Sequence, residues 1–211
     1  MYIAWRLAEK YPDKTGIRIA EIGAGAGLVA YYAWQFGFRD YSIFDLPTVN
    51  IVQSWLLGQS LREAPLYLAD SPTPFGQPGI RVLPPEFLGQ APENFWDIVV
   101  NIDSIPEIAP DIVAKYLATI HSRTRMLYSY NHEARPALDG HAYLGQTDSA
   151  RLSDAENASL CQEPMAWHIC SHGGFKRVAR SRAWLRPGYV GEWYETVDML
   201  EQSQHVDFEQ H

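Results

Sequence analysis

Residues Ile19–Trp34 read IAEIGAGAGLVAYYAW: an apolar run, three glycines at alternate positions, then a segment of helical composition. That order is the strand-turn-helix unit of an open α/β sheet, whose turn lies at the carboxyl edge of the strands, where nucleotide-like ligands bind. Glycine is needed in such a turn because the backbone takes tight or left-handed dihedrals and no side chain can stand between it and the ligand. The three are Gly23, Gly25 and Gly27. The dinucleotide fingerprint G-x-G-x-x-G wants its third small residue where this chain has Leu28, which argues against a pyrophosphate-bearing nicotinamide cofactor.

Outward from the turn, apolar runs alternate with segments of helical period, the pattern of a parallel sheet covered on both faces. The first strand is expected at Ile17–Ile22 and its helix at Leu28–Phe36, closing at Gly37. A second strand, Asp40–Asp45, stops at Leu46-Pro47, where a helix begins that carries Ile51, Val52, Trp55 and Leu56 at spacing for burial. Residues 64–93 hold seven prolines, read as a stiffened surface connection or a lid, with a short strand at Ile80–Leu83. The run WDIVVNIDS, Trp96–Ser104, reads as a strand buried on both faces. Ile112, Val113, Tyr116, Leu117 and Ile120 mark a helix, and Arg125–Asn131 the next strand.

Ser153 and Glu156 have capping-box spacing for a last helix, which Pro164 interrupts. Two β-rich runs, FKRVARSRAWL and YVGEWYETV, form a closing antiparallel pair joined through Pro187-Gly188. The expectation is a single α/β domain over 1–211 with a seven-stranded, mostly parallel sheet, a C-terminal antiparallel pair and helices on both faces. Residues 1–16 form a short N-terminal helix and 200–211 a polar tail.

Composition narrows the function. Hydrophobic residues make up 46% and charged residues 20%, the balance of a globular chain. A net charge of −8 argues against nucleic acid, and the one basic stretch, Phe175–Arg182, alternates cations with apolar residues as the solvent face of a strand does. Cys161 and Cys170 are too few for a disulfide framework. With neither a leader nor an apolar run of membrane-spanning length, the chain reads as soluble and cytoplasmic.

The glycine motif E-x-G-x-G-x-G, Glu21, Gly23, Gly25 and Gly27, resembles the first motif of class I S-adenosylmethionine-dependent methyltransferases. Asp45, closing the second strand within FDLP, matches the acid that such enzymes offer to the two ribose hydroxyls, with Leu46 beside it; the competing reading is a cap on the following helix. WDIVVNIDSIPEI and MLYSYN, with Asn101, Ser104, Glu107 and Asn131, are similar to the sugar O-methyltransferases, a bacterial branch of that fold. The likeness covers roughly residues 17–131. It implies S-adenosylmethionine as cofactor, held by Glu21, Gly23, Gly25, Gly27, Asp45, Leu46 and Asn101, and a sugar or glycoside hydroxyl as methyl acceptor. Two departures stand out: little chain precedes the first strand, so that a covering helical extension is expected to be missing or supplied by a partner, and LPPEF stands where an adenine-binding acid is usual, Glu86 being the nearest carboxylate.

An alcohol acceptor needs help losing its proton, which calls for a general base or a metal near the ends of the fourth and fifth strands. Asp103, Glu107 and His132 fall in that zone. His132 is suited to accepting a proton at neutral pH or is a loop residue, Asp103 is a base or an ordinary strand-end acid, and Glu107 competes with a helix-cap role. Asn101, Asp103, Asn131 and His132 could together hold magnesium. Cys161, His168, Cys170 and His172 lack the paired spacing of a zinc site. The aromatics Trp184, Tyr189, Trp193 and Tyr194 read as core and hairpin surface, with sugar stacking as the sharper alternative. Beyond the small-molecule acceptor no nucleic-acid or membrane partner is expected, and a homo-oligomer is left open. Two rival functions remain: a NAD-dependent oxidoreductase, and a methyltransferase fold that serves as a catalytically inactive scaffold.

Overall fold

The computed structural model describes residues 1–72, 74–132, 169–170, 174–183, 186 and 189–197, with Pro110 and His132 described by their backbones alone. The expected helix with the Ser153 cap and Pro164 break, Cys161, His168, His172, Trp184, the Pro187-Gly188 joint and the 200–211 tail lie outside these residues. Two compact units divide the chain, Met1–Ile102 and Asp103–His211.

The first unit runs α1 (Tyr2–Lys10), β1 (Arg18–Ile22), α2 (Leu28–Gln35), β2 (Asp40–Phe44), α3 (Pro47–Ser60), β3 (Leu66–Tyr67), β4 (Ile80–Leu83) and β5 (Ile98–Ile102). Its strands are parallel, in the order β3-β4-β2-β1-β5. Every residue of β2 and β4 is buried, as are four of five in β1 and in β5, which explains their unbroken apolar reading. The second unit holds α4 (Pro110–Arg123), β6 (Met126–His132), β7 (Phe175–Arg182) and β8 (Tyr189–Thr196), with β8 antiparallel to both β6 and β7. The described strands number eight rather than seven, the addition being the two-residue β3.

Two polar residues buried in the first unit show how it is held together. Arg81 is fully buried on β4, pairing with Asp40 and donating to the carbonyls of Pro74 and Gln77. The proline-rich stretch before β4 is thereby held from within. Asn101 donates from Nδ2 to the Ile22 carbonyl at 3.0 Å, fastening β5 to the end of β1.

The stripe on α3 departs from expectation. Ile51, Val52 and Trp55 are 69%, 51% and 64% exposed, while Gln53 and Leu57 are the buried pair. Gly27 explains the phase: a Cβ there would lie 3.2 Å from Leu57 Cδ1 and 3.6 Å from Ile43, so α3 packs closely on the glycine turn through Leu57. Gln53, one turn earlier, then faces inward for a polar reason given below. In α4 the expected burial holds for Val113, Leu117 and Ile120, while Ile112 is 43% exposed. Strand β7 buries only Phe175 and exposes its cations along the strand, as its alternating charge suggested.

Among the described residues no helix is long and apolar enough to cross a membrane. Urea denaturation checks the α3 phase. Leu57→Ala should cost about 2–5 kcal/mol, as for a buried leucine, whereas Trp55→Lys should stay within about 0.5 kcal/mol.

Candidate functional site

The glycine turn joins β1 to α2 with Gly23, Gly25 and Gly27 all at positive φ, 70°, 54° and 76°. Gly27 is itself the residue before the first turn of α2 and lies in the left-handed region. It also supplies the close helix approach that a dinucleotide fold asks of its third glycine, one position earlier than that fingerprint places it. Leu28, the residue that spoiled the fingerprint, is 58% exposed. Around Gly25 a Cβ would meet nothing within 4 Å, so the turn faces open space.

Asp45 follows β2 and reaches across to this turn. Its Oδ2 accepts from the Gly25 N–H at 3.1 Å and from Gln53 Nε2 at 2.8 Å, and its Oδ1 accepts from the Leu46 N–H at 2.8 Å. Gln53 Nε2 donates in addition to the Gly25 carbonyl at 2.8 Å. Three backbone segments therefore converge on one carboxylate. The rival role as a helix cap does not describe it, because the cap position before α3 is Leu46 and carries no side-chain cap bond. A carboxylate offers about four acceptor positions, and three are filled here, so the junction can take a hydroxyl donor and can take a diol if one donor yields. Set at a strand end beside an open glycine turn, these residues fit the ribose of an adenosyl cofactor.

Glu21 sits beneath the junction rather than on it. It is 1% exposed and accepts from Tyr41 Oη at 2.9 Å. Burial pushes its carboxyl from the ordinary 4.5 up to about 7, the Tyr41 bond opposing and the charge of Asp45 reinforcing the shift. Tyr41 itself is held well above its usual range by burial and by that same carboxylate. Asn101, expected at the cofactor, is fully buried and serves the β1–β5 link described above. Leu46 is 60% exposed beside Asp45.

In the second unit Asp103 stands in the left-handed region at φ 58°, held there by its N–H donating to Asn131 Oδ1 at 2.8 Å. Its carboxylate accepts from Tyr189 Oη at 2.8 and 2.9 Å and from Arg186 Nη1 at 3.2 Å, and Arg186 lies 4.8 Å over the Tyr189 ring. Burial, then the Asp103 bond and charge, push the Tyr189 phenol up to about 12. His132 ends β6 and pairs with Tyr189 in the β6–β8 register. Glu107 is exposed at the end of a short turn, Ile105–Glu107, and does not cap α4, whose cap position is Ala109.

The residues expected to hold magnesium do not fit a hard cation. Asn131 Oδ1 is engaged by the Asp103 N–H and Asn131 Nδ2 by Ser129, while the Asp103 carboxylate is met by a phenol and a guanidinium. No group of three or more His, Cys, Asp or Glu able to hold a metal occurs among the described residues. Of the described members of the aromatic set, Trp193 and Tyr194 are core, the Trp193 ring 4.4 Å from that of Tyr128, and Tyr189 alone reaches a candidate acid. Sequence reasoning missed Gln53 and Arg186, and it named Tyr189 as core or hairpin surface, with sugar stacking as the alternative, without its bond to Asp103. The sole sequence signal for Gln53 is a polar residue between apolar positions on a helix that follows the site acid.

No protein-family model matches the chain, and no curated protein does. Solved structures do. The chain is similar to an S-adenosylmethionine-dependent methyltransferase from Mesorhizobium loti (TM-score 0.59, 13% identity, 90% of this chain and 95% of that one). It is similar also to magnesium protoporphyrin IX methyltransferase from Synechocystis with bound S-adenosylhomocysteine (TM-score 0.57, 13% identity, 93% and 80%). A third likeness is to mitomycin 7-O-methyltransferase MmcR (TM-score 0.59, 14% identity, 92% of this chain), of which this chain spans about half the length, 53%. At such identities the shared property is the fold, the Rossmann-like fold of class I methyltransferases, mostly parallel with its C-terminal antiparallel pair.

The buried Glu21 makes stability depend on pH. Its folded pKa lies above its unfolded one, so the folded state holds the extra proton between about pH 4.5 and 7, and stability falls as pH rises through that window. Glu21→Gln should flatten this slope. Denaturation at pH 5 and pH 8 should show the parent losing on the order of 2–3 kcal/mol that the variant keeps.

Proposed function

We propose that this chain is an S-adenosylmethionine-dependent O-methyltransferase acting on a hydroxyl of a small molecule, a sugar or glycoside. The observation that carries the cofactor reading is the Asp45 junction: a strand-end carboxylate bound to an open, left-handed glycine turn. The fold likeness to methyltransferases supports it, and the E-x-G-x-G-x-G spacing, with Leu28 at the third small position of the dinucleotide fingerprint, favours it over a dinucleotide. The sugar acceptor rests on the resemblance of Asn101, Ser104, Glu107 and Asn131 to the sugar O-methyltransferases.

When bound, S-adenosylmethionine supplies a methyl group already activated on a sulfonium. The chain's own residues have two tasks. Asp45, Gly25 and Leu46 hold the adenosyl moiety, so that alignment rather than chemical activation accounts for most of the rate. The acceptor hydroxyl must lose its proton as the new C–O bond forms, and Asp103 is the acid we assign to that role, with His132 and Glu107 as the alternatives. Tyr189 and Arg186 hold the Asp103 carboxylate in one orientation. Tyr189 Oη donates to it and keeps acceptor lone pairs of its own, through which a substrate hydroxyl can be bound.

Calorimetric titration with S-adenosylhomocysteine tests the cofactor. Micromolar binding, lost in Asp45→Ala, with none for NAD, is the expected result; no binding by the parent chain would overturn it and leave the scaffold reading in its place. Asp103→Asn tests the acid. Asparagine tolerates the left-handed backbone at this position, so the variant should fold and keep its cofactor affinity. Its turnover with sugar acceptors should fall by about 10²-fold or more, and retained turnover would move the role to His132 or Glu107.

A further inference from the structure

Gln53 is fully buried, and its carboxamide oxygen has no hydrogen-bond partner among the described residues. An unanswered buried acceptor is costly, and an apolar residue would fill the same space on α3 without that cost. What the glutamine supplies is its nitrogen, which bridges two acceptors on different segments: the Gly25 carbonyl of the turn and the Asp45 carboxylate at the end of β2, both at 2.8 Å. The inward phase of α3, contrary to its own apolar stripe, follows from this placement together with the Leu57 contact.

The donor count at Asp45 then determines what must happen on binding. Three of its about four acceptor positions are filled, and the two hydroxyls of a ribose need two. One protein donor has to leave. The Gly25 N–H is the longest of the three contacts at 3.1 Å and belongs to an exposed turn with open space beside it, whereas Gln53 is buried and the Leu46 N–H is on the residue next in the chain.

We propose that Gln53 is a positioning residue for cofactor binding: its carboxamide keeps the Asp45 carboxylate turned toward the ribose while the Gly25 N–H gives way to the diol. This rests on the S-adenosylmethionine reading above. Gln53 touches no cofactor atom in this account and acts through Asp45.

The experiment is calorimetric titration with S-adenosylhomocysteine and with its 2′,3′-dideoxyribose analogue, on the parent chain, Gln53→Met, Asp45→Asn and the double variant. Methionine keeps the volume, removes the donor and sacrifices nothing at the unanswered oxygen. Gln53→Met should weaken S-adenosylhomocysteine about tenfold, the loss of one hydrogen bond to a charged group. It should also shrink the affinity ratio between the ribose and dideoxyribose ligands, and it should add nothing in the Asp45→Asn background. A role in packing alone would weaken both ligands equally and add to Asp45→Asn; either result overturns the proposal while leaving the cofactor reading intact. Failure of the parent to bind S-adenosylhomocysteine overturns both together. Where Gln53→Met does not melt cooperatively, Gln53→Glu replaces it: a carboxylate of equal size against Asp45 should weaken the ribose ligand more than tenfold, and unchanged affinity would overturn the proposal.

Discussion

The carboxylate of Asp45 is where the first unit is tied together. A glycine turn after β1 reaches it from 20 residues away and a side chain of α3 from 8, while the Leu46 N–H closes on it from the next residue in the chain. Backbone sterics make the arrangement feasible, because only residues without a Cβ enter the left-handed region at three alternate positions without strain. Packing then makes it unique, since the α3 helix can approach only where Gly27 leaves room for Leu57. The Leu57 contact and the Gln53 bonds thus together set the phase of a helix whose hydrophobic pattern would have chosen another.

The rest of that unit shows how a sheet buried on both faces accommodates charge. Arg81 and Asp40 neutralise one another while the guanidinium satisfies loop carbonyls, and Glu21 is accommodated by sharing a hydrogen bond with Tyr41 and by its tendency to keep a proton. Removing one partner of such an arrangement is far more damaging than never having built it. The second unit uses the same economy at Asp103, where a left-handed backbone, a carboxamide, a phenol and a guanidinium meet around one acid.

Much of the fold was legible because the strands announce themselves. Runs buried on both faces are mostly apolar, so Ile80–Leu83 was located to the residue, and β1, β2 and β5 of the same unit to within two at either end. The glycines were legible for a steric reason that spacing alone conveys. What the sequence concealed were contacts between distant positions: Gln53 with Gly25 lies 28 residues apart, and Tyr189 with Asp103 lies 86 apart. Neither leaves a local pattern. The α3 stripe misled because periodicity tells which residues share a face and does not tell which face is turned inward.

The exposed band of Leu46, Ile51, Val52 and Trp55 has a practical side. Apolar area of this kind on a folded chain attracts the same fluorescent dyes that are used to detect loosely packed, partly unfolded states. A preparation of this protein would therefore stain while fully native, and dye uptake during heating would start from a high baseline instead of rising from none. Its unfolding is better followed through Trp96, which is wholly enclosed by the core until the sheet comes apart.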